Sequence, residues 1–120
     1  MRKIFGMLLL LVLACPSSQA YMGKSFETPI NVCVSHILVP NEADALKMKS
    51  MIKDFDEFGQ FAKMYSECPS GRANGYLGCF GRGQMVRQFE DAAFKGNIGE
   101  ITGPVKTQYG YHLIWVTRKY

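Results

Sequence analysis

The sequence lacks a strong charge of either sign, and it contains no run of Lys and Arg. Its 120 residues carry 14 basic and 10 acidic side chains, for a formal net charge of +4 at neutral pH. Removal of residues 1–20, which include Arg2 and Lys3, leaves 12 basic against 10 acidic residues and a net charge of +2. So small an excess of positive charge gives no basic surface that would bind nucleic acid or an anionic membrane, so we expect neither partner.

The chain also lacks an apolar run long enough for a stable membrane span. Its run at residues 4–14 is shorter than the ~20 residues that a transmembrane helix needs. Arg2 and Lys3 precede this run, and the small and polar residues CPSSQA follow it. Such an order of basic start, apolar middle and small-residue end is typical of a secretory signal peptide.

These features predict three segments. Residues 1–20 form a cleavable signal peptide, residues 21–30 form a flexible leader, and residues 31–120 form one domain. A lipoprotein signal with Cys15 as the acylated residue is the alternative, although Leu13 fits that motif poorly. We expect an exported or secretory-pathway protein, located in a periplasm, a lumen, the extracellular space or a plastid reached through a bipartite signal.

Cysteines are few, and their number in the processed chain is odd. Cys33, Cys68 and Cys79 remain after cleavage, so at least one thiol is expected to be free. Because export leads to an oxidising compartment, a disulfide between Cys68 and Cys79 is an alternative to a free Cys68. Cys33, in a buried strand, is interpreted as a small hydrophobic residue. The close paired spacings of structural zinc sites are absent, so we expect no metal and no cofactor.

The spacing of the apolar residues predicts strands and helices that do not alternate regularly, and the sequence contains no internal repeat. The first predicted elements are a strand at 32–39 that is buried on both faces and a helix capped by Asn41, with Ala45, Met48, Ile52 and Phe55 on its apolar stripe. A second helix follows, with Phe58, Phe61, Ala62 and Tyr65 on its stripe. The remaining elements are a short strand at 76–83, a short helix with Met85 and Phe89, and a hairpin after the turn at Gly103 and Pro104. This order predicts an α+β domain with a small, largely antiparallel sheet.

Six strings of residues, taken together and in order, resemble a parvulin domain. They are SHILV at 35–39, CPSG at 68–71, LG at 77–78, FGRGQM at 80–85, FEDAAF at 89–94 and TGPVKTQYGYHLI at 102–114. The resemblance runs from about Val32 to the C-terminus. It implies a parvulin (FKBP-like) fold, in which three to four helices surround a four-stranded, mostly antiparallel sheet, and the activity of a peptidyl-prolyl cis/trans isomerase that needs no cofactor.

The resemblance also assigns a site. The residues that match the family's polar active-site set are His36, Cys68, Thr107 and His112, and those that match its proline-ring pocket are Leu77, Met85 and Phe89, with Val86 near this wall. The two histidines and Thr107 are expected to form a hydrogen-bonded chain that fixes the position and charge of Cys68. Taken alone, a histidine in a strand is more often a satisfied core residue.

Isomerisation about an X-Pro amide needs no covalent change, only stabilisation of the twisted amide by a dry pocket and positioned polar groups. The expected partners are unfolded or partly folded segments that contain X-Pro, bound by a monomer. Two departures from the family pattern matter: Tyr76 stands where many relatives carry an acidic residue, and only Pro40 and Asn41 follow the first strand, without a long basic insertion. Phosphate specificity is therefore not expected. The alternative function is a non-catalytic peptide-binding or chaperone module that uses the same cleft.

Overall fold

The structure, a computed structural model, describes residues 29–120. The predicted signal peptide, its lipoprotein alternative and residues 21–28 of the predicted leader lie outside these residues. The first strand begins at Asn31, and its backbone N–H donates to the Tyr120 carbonyl at 2.8 Å, so the two ends of the described segment are joined.

The described segment contains four strands, three α-helices and a short 3₁₀ helix. The elements are β1 at Asn31–Val39, α1 at Glu42–Met51, α2 at Phe55–Tyr65, the 3₁₀ helix at Pro69–Ala73, β2 at Tyr76–Gly81, α3 at Arg87–Lys95, β3 at Ile101–Thr107 and β4 at Gly110–Lys119. The strands form one sheet in the order β2-β1-β4-β3, and every neighbouring pair is antiparallel. The predicted α+β class and four-stranded antiparallel sheet are confirmed.

The sheet is covered on both faces, because its central strands β1 and β4 are apolar on both sides. One face, which includes Val34 and Ile114, packs against α3. The other face, which includes Ile37 and Leu113, packs against α1 and α2. Strand residues alternate between faces, so His36 belongs to the α3 side with Val34. The side of the sheet that α3 covers only in part therefore carries the histidines.

The helix boundaries differ from those predicted at two places. The first helix does not extend to Phe55, because Ile52 has extended backbone angles and Asp54 starts a new helix by accepting a hydrogen bond from the Glu57 N–H at 2.8 Å. Apolar residues keep their helical spacing across this break because Ile52 and the apolar residues of α2 pack in the same core. Asn41 occupies the N-cap position of α1, but its side chain donates to Asp44 instead of capping the backbone.

The loop before α3 and strand β3 also differ from the prediction. Met85 precedes α3, which begins at Arg87. Gly103 and Pro104 lie inside β3, at an irregularity in its pairing with β4, and do not form the turn before it. Gly103 has φ +117°, and a Cβ there would lie 2.6 Å from the His112 carbonyl oxygen, so glycine is required at this close approach.

Cys33 and Cys79 form a disulfide that joins β1 to β2. The two residues are direct partners in the antiparallel register. The interpretation of Cys33 as an isolated hydrophobic residue was therefore wrong, as was the alternative bridge between Cys68 and Cys79, and Cys68 is free. The reason is the register between β1 and β2, which the distance along the sequence does not reveal.

Within residues 29–120, no helix has both the length and the apolar character needed to cross a membrane.

Candidate active site

A cleft of about 460 Å³ opens on the α3 side of the sheet. Its floor comes from the strands β1, β2 and β4, and its walls come from α3, the loop before α3 and the segment that follows α2. The lining residues are His36, Leu38, Glu67, Cys68, Pro69, Leu77, Gln84, Met85, Val86, Phe89, Tyr109 and His112. Most of these side chains are apolar, and the polar ones lie at the histidine end and at the rim.

Two buried histidines meet at the floor of the cleft. His36 on β1 and His112 on β4 are neighbours across the two central strands, since His112 pairs with Leu38 in the register. Their Nδ1 atoms are 3.1 Å apart, and the rings are nearly parallel, with an interplanar angle of 17°. One Nδ1 must carry a proton and donate it, while the other accepts.

The outer nitrogens of both rings are also hydrogen-bonded. His36 Nε2 lies 3.1 Å from Ser70 Oγ, and His112 Nε2 lies 2.7 Å from Thr107 Oγ1. Thr107 Oγ1 also accepts from the Tyr109 N–H at 3.1 Å. Ser70, His36, His112 and Thr107 thus form one chain of hydrogen bonds. The donors can all point from Ser70 toward Thr107 or all the opposite way, and in both cases each imidazole is neutral and every ring nitrogen has a partner.

Burial keeps both imidazoles neutral. The pKa of His36 is lowered to about 4, first because burial removes water from the ring and second because His112 is close. The pKa of His112 is also lowered to about 4, by burial. At neutral pH both rings are therefore uncharged, as the shared Nδ1 contact requires.

The lowered pKa values predict a loss of stability in mild acid. Each histidine has an unfolded pKa near 6.5 and a lower folded pKa, so the unfolded chain binds protons first, and the stability present above pH 6.5 declines as the pH falls toward 4. We expect the free energy of unfolding by urea to fall by about 1 kcal/mol per histidine between about pH 7.5 and pH 6. The chain has only 2 histidines, so NMR titration of their Cε1 protons is a direct check, and midpoints near 6.5 would contradict the prediction.

Phe89 connects the histidine pair to the apolar wall. It lies on α3, is 3% exposed, and presents its ring at nearly right angles to both imidazoles, with centroids 5.5 Å from His36 and 5.1 Å from His112. The ring also packs against Phe80 of β2. Aromatic rings in such edge-to-face contacts hold one another in place, so Phe89 fixes both the pocket wall and the histidine rings.

The loop between β2 and α3 is held by a buried carboxylate. Glu90, which is 8% exposed, accepts from the Gly83 N–H at 2.6 Å and pairs with Arg82 at 3.1 Å. Arg82 also pairs with Asp91 on the same helix. These bonds tie the loop to α3, and the loop in turn supplies Met85 to the cleft.

Six of the seven residues that the sequence assigned to the site line this one cleft. Thr107 is the exception, since it lies behind His112 and reaches the cleft through that ring. Cys68 lines the cleft, but its sulfur takes part in none of the hydrogen bonds found within residues 29–120, and the histidine chain ends on Ser70 rather than on Cys68. Ser70 was missed, although it stands in the CPSG string just after Cys68.

The other residues that line the cleft were also missed by sequence reasoning. They are Leu38, Glu67, Pro69, Gln84 and Tyr109. Glu67 and Pro69 flank Cys68 in the sequence, and this adjacency is the signal that could have identified them. Among residues 29–120, no three or more His, Cys, Asp and Glu side chains are grouped so that they could hold a metal ion.

A four-stranded antiparallel sheet with paired histidines beside an apolar cleft defines a domain of the parvulin type. The model of the Rotamase family, described as PPIC-type PPIASE domain, matches residues 39–118, and the chain belongs to this family.

Relatives and solved structures agree with this assignment. The chain is 49% identical over 86 residues to the foldase protein PrsA of Geobacillus sp. (strain WCH70), an alignment that covers 71% of this chain and 31% of that protein. The crystal structure of the peptidylprolyl isomerase PrsA from Bacillus cereus superposes with a TM-score of 0.70 and 41% identity, over 80% of this chain and 38% of that one. The Pin structure from the archaeon Cenarcheaum symbiosum gives a TM-score of 0.66 and 43% identity, over 73% and 92%.

The chain thus spans about a third of the length of the curated relatives that it matches.

Proposed function

We propose that this chain is a peptidyl-prolyl cis/trans isomerase that assists proline-limited folding of exported or lumenal proteins. One observation carries the proposal. A single cleft combines an apolar wall, formed by Leu77, Met85 and Phe89, with a neutral and fully hydrogen-bonded histidine pair. Membership of the rotamase family supports it. Its similarity to foldase proteins and to a peptidylprolyl isomerase supports it as well.

The reaction needs a site that favours the twisted amide over either planar isomer. Rotation about the bond has a barrier of ~18–20 kcal/mol, because resonance gives the C–N bond partial double-bond character. Leu77, Met85 and Phe89 grip the proline ring while the preceding carbonyl turns, so binding is strongest when the amide has lost its conjugation. Exclusion of water by the apolar wall makes the polar contacts at the other end of the cleft stronger.

The polar residues act by position, and no covalent intermediate is required. The neutral histidines hold the strands β1 and β4 in register and orient Ser70 at the cleft through His36 Nε2. Thr107 fixes the outer nitrogen of His112. Cys68 contributes a polar sulfur next to the turning carbonyl, free of any disulfide.

The substrate is an exposed X-Pro segment of an unfolded or partly folded protein, without a phosphate before the proline. Only Pro40 and Asn41 connect β1 to α1, so this connection supplies no cation to the cleft. The proposed location is an exported compartment, reached after cleavage of residues 1–20. The proposed working form is a monomer.

The test is acceleration of isomerisation of Xaa-Pro tetrapeptides by protein that starts at Tyr21, with and without a reductant. We expect acceleration without reductant, because Cys68 is already free in the oxidised protein, and weaker acceleration when the reductant opens the Cys33–Cys79 bridge. No acceleration in either condition would overturn the isomerase proposal. In that case, suppression of the aggregation of an unfolded protein by the same sample would identify a binding module that uses this cleft.

A further inference from the structure

The cleft contains a single fully charged side chain. Of its twelve lining residues, only Glu67 is an Asp, Glu, Lys or Arg, and the two lining histidines are neutral because burial lowers the pKa of each to about 4. At neutral pH the cleft of the described domain therefore carries one negative charge and no positive charge.

The backbone holds Glu67 at the rim. Its N–H donates to the Leu38 carbonyl at 2.8 Å, so the segment after α2 is fastened to the end of β1. Ser66 Oγ adds a second tie by accepting from the Leu38 N–H at 3.1 Å and from the Cys68 N–H at 3.3 Å. The side chain of Glu67 is exposed on this anchored segment, directly before Cys68.

No counter-ion neutralises this carboxylate within residues 29–120. The ion pairs found there join Arg82 to Glu90 and to Asp91, and Glu67 takes part in neither. Lys63 and Arg72 line a neighbouring pocket that Glu67 also lines, yet neither comes within ion-pair distance of Glu67.

The loop before α3 supplies no competing positive charge to the cleft. It contributes Gln84, Met85 and Val86 to the lining. Arg82, which lies near this loop, is bound to two carboxylates and packs over the Phe94 ring with its guanidinium carbon 4.2 Å from the centroid. Arg87 begins α3 but does not line the cleft.

We propose that Glu67 is a specificity-determining residue, which makes the cleft favour Lys or Arg immediately before proline and disfavour Glu or a phosphorylated residue there. This inference rests on the proposed isomerase activity. With the proline ring against Leu77, Met85 and Phe89, and the turning carbonyl toward Cys68, the preceding residue lies on the Glu67 side of the cleft. An exposed carboxylate attracts a cation and repels an anion there, and salt screens both effects.

The experiment compares kcat/KM for Ala-Xaa-Pro-Phe peptides with Xaa as Arg, Leu or Glu, for the protein that starts at Tyr21. At low ionic strength we expect kcat/KM for the Arg peptide to be about ten times that for the Glu peptide. The exposed Glu67 carboxylate attracts the Arg side chain and repels the Glu side chain. The ratio should approach one in about 0.5 M salt, where the screening length is a few ångströms. It should also approach one in Glu67→Gln and fall below one in Glu67→Lys.

The matched control is Asp56→Asn, which removes an exposed acidic charge from α2 away from the cleft and should leave the ratio unchanged. An equal Arg to Glu ratio in wild type and Glu67→Gln would overturn the role of Glu67, and so would a wild-type preference for Glu. The Leu peptide separates this result from failure of the proposed function, since only the latter abolishes acceleration for all three peptides.

Discussion

Replacement of Phe89 by alanine is expected to reduce kcat/KM for an Ala-Pro or Leu-Pro peptide about 100-fold, which corresponds to ~2.7 kcal/mol of transition-state stabilisation. Phe89 forms the pocket wall and meets both imidazole rings edge-on, so its removal opens the ring site and releases the histidines together. Loss of a buried phenylalanine also costs ~3–5 kcal/mol of folding stability. The alanine variant is therefore assayed only at a temperature at which circular dichroism shows it to be folded.

A milder pair of variants separates function from stability. Phe89→Leu keeps an apolar side chain in the wall but loses the edge-to-face contacts, and we expect about a tenfold fall in kcat/KM from weaker positioning of the ring site. Phe94→Leu changes a second buried phenylalanine on the same helix and in the same core, but one that does not line the cleft. Equal losses of activity in the two leucine variants would show that the aromatic contacts of Phe89 have no specific role.

The same variants separate an isomerase from a binding module. If the cleft only holds unfolded chains, Phe89→Leu changes the suppression of aggregation and there is no turnover to lose. If the cleft catalyses, the fall in kcat/KM is measured directly on peptides too short to aggregate. Wild-type turnover that survives unchanged in Phe89→Ala would place the reaction outside this cleft.

Removal of the disulfide is expected to cause a large loss of folding stability. Cys33 and Cys79 are separated by 46 positions in the sequence. A cross-link over a loop of that length restricts the unfolded chain by about 4 kcal/mol in the chain-entropy model. The double variant with Cys33→Ala and Cys79→Ala should lose about this much free energy of unfolding in urea, and reduction of the wild-type disulfide should have a similar effect.

Cys68→Ala is the matched control for the double variant. Cys68 is outside the disulfide and only partly buried, so its replacement should change the free energy of unfolding by less than about 1 kcal/mol. A double variant as stable as wild type would contradict a structural role for the bridge. Because Leu77 lies on the strand that the bridge fastens, the double variant should also bind peptide less tightly under conditions in which it remains folded.

The sequence was sufficient to predict the strand and helix order, since each element carries a clear local signal. The apolar residues around His36 predicted a doubly buried strand, and the helical spacing of apolar residues predicted the three helices. The break between α1 and α2 was predicted too late in the sequence, because Ile52 and Phe55 continue the helical spacing while Asp54 caps the second helix before Phe55. A local pattern of apolar residues does not reveal where a side chain ends one helix and starts another.

The cleft was predictable in its apolar wall and its histidines because the resemblance placed them. It was not predictable where contacts depend on strand register or loop geometry. The pairing of Cys33 with Cys79 follows from how β1 aligns with β2. The contact of Ser70 with His36 follows from the path of the 3₁₀ helix, which spacing along the chain does not specify.

Pro104 lies in β3, at one edge of the sheet. Proline has no backbone N–H, and the pairing of β3 with β4 is irregular between Thr102 and Val105, so this edge presents an interrupted row of hydrogen-bonding groups. Edges of this kind are poor templates for an additional strand. Under the proposed function the domain meets many extended segments of unfolded chains, and an edge that adds no strand leaves the cleft as the place where they bind.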